Sequence, residues 1–301
     1  MKIFENFDTG KISWFRCGGR ADVFVIVDNQ QELLEVLEQY KDKYNQQKGN
    51  IICIGAGSNV LFRDAGYKGL VIKLTGDFNK VVLDNNDNTK LIAGAGCLSK
   101  SISQFAINNS LIGAEFLDTI PGSCGGLVKM NAGCFNKEIK DILYSADILI
   151  NGKIEKWDLS KMQYSYRHSN IPDNAIILSA IFQLQNGTPE DIENSKKMIT
   201  EMQQKRKANQ IIGATCGSTF KNVKQVNNKG EIETISVWKL LDEVGLRGYK
   251  IGGAMFSEKH CNFILNTGNA TASDIINLMQ LAKQRVKDKF GVDIEEEVRI
   301  V

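Results

Sequence analysis

The apolar positions fall into short runs broken by polar turns. Val23, Phe24, Val25, Ile26 and Val27 predict a buried strand over 21–27, and Leu33, Leu34, Leu37 and Tyr40 recur at helical spacing over 30–40. Residues 51–54 form a short apolar strand running directly into Gly55-Ala56-Gly57-Ser58-Asn59, and further strands are expected at 71–72, 81–83 and 91–93. Ile102, Phe105 and Ala106 share one face of a helix predicted over 99–109, with Ser99 or Ser101 as its cap. Residues 115–133 are glycine-rich and read as loop. Segments 143–150 and 154–157, joined across Asn151-Gly152, predict a tight hairpin, and 175–184 a further strand.

Composition shifts at 186–189. Thr188 precedes Pro189, with Asp191 three residues on, which predicts a capped start for a long polar helix over 189–207. A second long helix spans 272–290, with Ile275, Ile276, Leu278, Met279, Leu281, Ala282 and Val286 on its apolar side. Residues 294–301 form an acidic, strand-like tail that puts Glu295 and Glu297 on one face. Strands interspersed with a few helices, without regular βαβ spacing, favour an α+β fold.

A chain of 301 residues exceeds the usual size of a single core, so two or three domains are expected. The formal net charge of +2 supplies no global drive toward nucleic acid or anionic membrane, so neither is expected as a partner. Seven cysteines without CxxC spacing and two distant histidines, His168 and His260, point to free thiols in the cytoplasm and to no metal site. The N-terminal residues lack a signal-peptide pattern, and no apolar stretch approaches the ~20 residues that cross a bilayer.

The glycine clusters carry the first chemical signal. Gly55-Ala56-Gly57-Ser58-Asn59 follows a strand and can wrap an anion with backbone N–H groups, or can be a plain glycine turn. It is neither GxGxxG nor a Walker loop. Pro121-Gly122-Ser123-Cys124-Gly125-Gly126, extended by Met130-Asn131-Ala132-Gly133, reads as a flat wall for a cofactor or as tight turns at a sheet edge. In Gly217-Ser218-Thr219-Phe220-Lys221-Asn222, Ser218 has no evident base, so proton donation fits it better than nucleophilic attack, and a structural turn serine is the competing reading. Tyr166-Arg167-His168 offers a guanidinium suited to bidentate carboxylate binding, or a surface arginine stacked on tyrosine.

Taken in order, Trp14-Phe15-Arg16-Cys17-Gly18-Gly19, Ile54 to Leu61, Ile120 to Gly126, Met130 to Gly133, Gly217 to Asn222, Gly252-Gly253-Ala254 and Glu295 to Arg299 resemble the shorter form of the UDP-N-acetylenolpyruvoylglucosamine reductases over nearly the whole chain. The resemblance implies a two-lobed FAD-binding domain of the PCMH/vanillyl-alcohol-oxidase type over 1–75 and 76–187, then an α+β substrate-binding domain over 188–301. It implies FAD and NADPH as cofactors and UDP-N-acetylglucosamine enolpyruvate as substrate, with no obligatory protein partner. Ser218 would supply a proton, and Arg167 and Glu297 would stabilise the enolic intermediate. For Glu297 that role requires a raised pKa. FAD would be held by Ile54, Gly55, Ala56, Gly57, Ser58, Asn59 and Val60, by Pro121, Gly122, Ser123, Gly125 and Gly126, and by Asn131, Ala132 and Gly133. Substrate would be held by Tyr166, Arg206, Lys221, Asn222 and His260. Ile211 and Val223 stand where the family commonly has proline, which touches loop stiffness only. Competing readings are an FAD-dependent alcohol or sugar oxidase on a similar scaffold and a non-enzymatic nucleotide-sugar binding module.

Overall fold

The computed structural model describes residues 1–44, 50–209, 211, 213–226 and 232–301. The chain forms two compact units: residues 1–6, 22–56 and 68–208 make the first, and residues 7–21, 57–67 and 209–301 the second. The cuts expected at 75/76 and 187/188 do not coincide with these units. Segments 7–21 and 57–67 group with the C-terminal third, and nearly all of the Pro189–Asn209 helix groups with the first unit. Two polar anchors account for the helix. Ser195 Oγ donates to Glu115 Oε1 (2.7 Å) and Gln203 Nε2 to Asp118 Oδ1 (2.5 Å), while among residues 189–208 only Ser195 and Ile199 are buried.

In the first unit, one sheet runs in the order Lys2–Asp8, Arg20–Val27, Tyr67–Leu74, Ile51–Ile54, the last pair being parallel. A second sheet, antiparallel throughout, runs Lys153–Asp158, Leu143–Ile150, Ile176–Gln183, Lys90–Gly94, Val81–Leu83. The expected hairpin is present. Asn151 (φ +49°) and Gly152 (φ +75°) both adopt the left-handed backbone that a two-residue turn of right-twisted strands requires. Val25, Leu33, Ile72, Leu91, Phe116, Ile148 and Phe182 belong to this unit's core.

Two local expectations change. The 99–109 helix is preceded by Leu98, not capped by a serine, because the Ser99 hydroxyl bonds to the Ile120 carbonyl. The glycine-rich 115–133 stretch contains a 3-10 turn, Glu115–Thr119, and a helix, Cys124–Met130, whose Leu127 and Val128 face the core.

In the second unit the Ala272–Phe290 helix buries Ile275, Leu278, Met279, Ala282 and Val286, one face at helical period, against Phe220, Leu241 and Phe256. Thr271 and Asp274 form a capping box at its start, and Gly291 ends it at φ +70°. The expected terminal strand is shorter than predicted. Only Arg299–Ile300 is a strand, parallel to Val60–Leu61, because the N–H groups of Glu297 and Val298 converge on one carbonyl, Thr219 O (2.8 and 3.5 Å), which breaks regular pairing.

Candidate active site

In the first unit the glycine loops meet. The Ile51–Ile54 strand delivers Gly55 beside Ser123, and a Cβ built on Gly55 would lie 2.1 Å from Ser123 Oγ. Ser123 occupies the N-cap of the Cys124–Met130 helix without capping it. Its hydroxyl, turned toward Gly55, is buried and has no hydrogen-bond partner. A buried hydroxyl left unpaired beside a glycine that excludes any side chain fits a cofactor oxygen-binding cradle. The backbone of the same stretch is partly committed. Cys124 N donates to Cys97 O and Gly125 N to Ala95 O, both at 2.8 Å, so Gly125 does not donate to an anion, and its missing side chain lets it pack on Ala95, whose Cβ would lie 3.2 Å from an added one; a Cβ on Gly126 would meet nothing within 4 Å. Gly122 O accepts from Ser99 N, and Ala132 bonds both ways along the backbone, to Leu127 and Ile139.

Asn131 departs from its expected role. It ends the helix at φ +44° and is fully buried. Its Nδ2 donates to Glu138 Oε2 (3.1 Å) and Ser165 O (3.0 Å), and its Oδ1 accepts from Lys140 N (3.0 Å). Its side chain therefore joins the neighbouring loops to one another. Gly133 and Cys134 pair with Glu138 and Lys137 in a tight hairpin, in which a Cβ on Gly133 would meet Lys137 O at 2.2 Å. Arg167 lies at the apex of a second tight turn, between Ser165 and His168, at φ +54°. Its Nη2 donates to Gly133 O (2.6 Å) and its guanidinium lies 5.0 Å from the Tyr166 ring centre. The Cys134 thiol is pushed up by burial; its hydrogen bond with Thr119 and the charges of Arg206 and Arg167 pull the other way. Tyr166, Arg167 and Arg206 thus belong to one neighbourhood of the first unit. Sequence reasoning missed Glu138, whose single charge in a short turn carries no motif.

In the second unit three remote segments run edge to edge. Thr219 N donates to Asn262 O (2.7 Å), Ser218 bridges Phe263, and the buried Asn262 side chain bonds both the N–H and the C=O of Phe220 (3.0 and 2.8 Å). On the other side Glu297 N donates to Thr219 O (2.8 Å), and Glu297 O accepts from Asn59 Nδ2 (2.9 Å). Val60 pairs with Arg299. The expected FAD residues Asn59 and Val60 and the expected catalytic residues Ser218 and Glu297 are thereby brought together. Gly57 (φ +70°) follows from the same packing, since a Cβ there would lie 1.8 Å from Ile12 O.

Of the expected substrate residues in this unit, Lys221 Nζ faces Glu295 Oε2 at 3.3 Å, and Asn222 Oδ1 accepts from Val237 N (3.1 Å) at the start of the Val237–Glu243 helix. His260 packs edge-on to Phe263, with ring centres 4.9 Å apart, and its Nδ1 accepts from Asn262 N (3.3 Å). Burial holds the His260 imidazole below its usual range, and the Arg247 charge adds to this against a backbone hydrogen bond.

The glycine cradle lies within residues 21–156, which match the model of an FAD binding domain, and this makes the chain a flavoprotein. Residues 206–301 match the model described as UDP-N-acetylenolpyruvoylglucosamine reductase, C-terminal domain. Proteins named UDP-N-acetylenolpyruvoylglucosamine reductase from Pelagibacter ubique (strain HTCC1062) and Rickettsia massiliae (strain Mtu5) are 38% and 37% identical to this chain, covering 100% and 98% of it and 95% and 94% of themselves. The crystal structure of the Thermus caldophilus reductase superposes with a TM-score of 0.79 at 28% identity, over 99% of this chain and 98% of that one. The chain belongs to the UDP-N-acetylenolpyruvoylglucosamine reductase family.

Proposed function

We propose that this protein reduces the enolpyruvyl ether of UDP-N-acetylglucosamine to UDP-N-acetylmuramate, a step of peptidoglycan precursor synthesis, with FAD as bound cofactor and NADPH as reductant. Bound FAD supplies the hydride acceptor and donor. Gly55, Ser123, Gly125, Gly126, Ser58, Asn59 and Val60 are among the residues that would hold it.

The chain's own residues handle charge and protons. Hydride addition to the methylene carbon places negative charge on the neighbouring carbon and its carboxylate. Arg167 binds that carboxylate and neutralises the growing charge. Ser218 Oγ delivers a proton to the carbon, and Glu297 assists the enolic species from the adjacent backbone. Tyr166, Arg206, Lys221, Asn222 and His260 hold the sugar nucleotide. The observation that supports this reading best is the pairing of Asn59, Thr219 and Glu297, which gathers cofactor and acid–base segments from three distant parts of the sequence.

We place the reaction in the cytoplasm, with no protein partner required. Among the described residues no helix is long and apolar enough to cross a membrane. Anaerobic half-reaction spectroscopy tests the proposal: NADPH bleaches the flavin bands, and the enolpyruvyl sugar nucleotide restores them. Restoration by oxygen with an alcohol substrate alone, or the lack of any flavin signal after reconstitution, would contradict it.

A further inference from the structure

We propose that Glu138 is a positioning residue for Arg167, holding the guanidinium as a rigid carboxylate clamp; the inference rests on the reductase reading above. A free arginine side chain loses much rotamer freedom when it is immobilised, so a clamp works best when its geometry is fixed before the ligand arrives. The first unit fixes it from several sides. Arg167 sits at a turn apex in the left-handed region (φ +54°), over the Tyr166 ring. Its Nη2 donates to Gly133 O (2.6 Å) and its Nη1 to Asn131 O (3.5 Å).

The hairpin register sets Glu138 opposite Gly133, so a carboxylate stands beside the carbonyl that already holds the guanidinium. Glu138 Oε1 lies 3.8 Å from Arg167 Nη1, within ion-pair range but beyond a direct hydrogen bond. It orients the guanidinium by charge without taking a hydrogen bond from Nη1. Its other oxygen, Oε2, is fixed by Asn131 Nδ2 (3.1 Å) and Lys140 Nζ (2.9 Å), so the carboxylate cannot swing away. Both side chains are about four-fifths buried, at 17% and 19% exposure, where charge screening is reduced.

The test compares two ligands on the FAD-loaded, full-length protein by calorimetry. UDP-N-acetylmuramate carries the carboxylate; UDP-N-acetylglucosamine lacks it. Glu138→Gln keeps the shape and deletes the charge. It is expected to weaken UDP-N-acetylmuramate about tenfold and leave UDP-N-acetylglucosamine and flavin reduction by NADPH unchanged. Arg167→Lys should show the same selective loss, and the double variant should lose less than about twofold more, since both changes remove one clamp. Equal weakening of both ligands, wild-type affinity for both, or full additivity in the double variant would overturn the inference. A wild-type protein that fails to distinguish the two ligands would instead overturn the assignment of Arg167 to the carboxylate, and Glu138's role with it.

Discussion

Ser123→Ala separates a group built for folding from one built for a ligand. The Ser123 hydroxyl is buried and has no partner, and it points at Gly55, where no side chain fits. Burying a hydroxyl without a hydrogen bond costs about 1–3 kcal/mol on the scale of protein mutations. Deleting it should therefore leave the FAD-free protein equally stable or more stable by up to about 1 kcal/mol. A hydrogen bond to a charged phosphate oxygen is worth about 1.5–3 kcal/mol, so FAD affinity should fall about 10- to 150-fold. The assay is urea unfolding of the FAD-free protein together with FAD titration followed by flavin fluorescence. The companion Gly55→Ala places a Cβ 2.1 Å from Ser123 Oγ and should be destabilising by about 1–3 kcal/mol. Adding Ser123→Ala should recover most of that loss, because the nearest remaining atom, the residue 123 Cβ, lies at 3.4 Å. If FAD-free Ser123→Ala is destabilised while FAD affinity is unchanged, the hydroxyl serves the fold and not the cofactor.

Three further outcomes are expected. Phe135 is exposed and sits at φ +51° in the hairpin between Cys134 and Lys137, so Phe135→Asn should raise stability by about 1 kcal/mol; an unchanged or lowered unfolding midpoint would contradict this. Asp118 binds both Gln104 and Gln203 from a buried position, and Asp118→Ala should lower the unfolding midpoint and raise hydrogen exchange along residues 195–208, whereas unchanged exchange there would show that the helix is anchored otherwise. His260 is depressed in the folded state, so the folded protein binds fewer protons than the unfolded chain just below pH ~6.5. Stability should rise with pH through that window and level off above it, and His260→Gln should flatten the rise; an identical slope in the variant would exclude His260 as its source.

Much of the frame was legible because strong local signals agreed with tertiary structure. Asn151-Gly152 marks its hairpin by turn chemistry alone, and Thr188 with Asp191 caps its helix as the spacing predicts. The Ala272–Phe290 helix is visible because its buried face keeps helical period. The Cys124–Met130 helix was hidden by Gly125 and Gly126, both poor helix formers, the first of them packed closely on Ala95. The 133–138 hairpin was hidden by Phe135, an aromatic at a position that favours asparagine or glycine. Segments 7–21 and 57–67 join the second unit through contacts such as Ser13 Oγ to Val60 O (2.6 Å) and Asn266 Nδ2 to Phe15 O (2.8 Å), and no local pattern encodes such pairings. The site was legible as a set of motifs. That Asn131 and Asn262 act as buried brackets for their neighbours follows only from three-dimensional packing.

Stopped-flow comparison of wild-type and Ser218→Ala protein isolates the proton transfer proposed for Ser218 during reduction of the enolpyruvyl group. General-acid groups contribute about 10²–10⁴-fold. Flavin reduction by NADPH is expected at the wild-type rate in Ser218→Ala, with reoxidation by the enolpyruvyl sugar nucleotide slowed at least about 10²-fold. Reoxidation at the wild-type rate in that variant would contradict it.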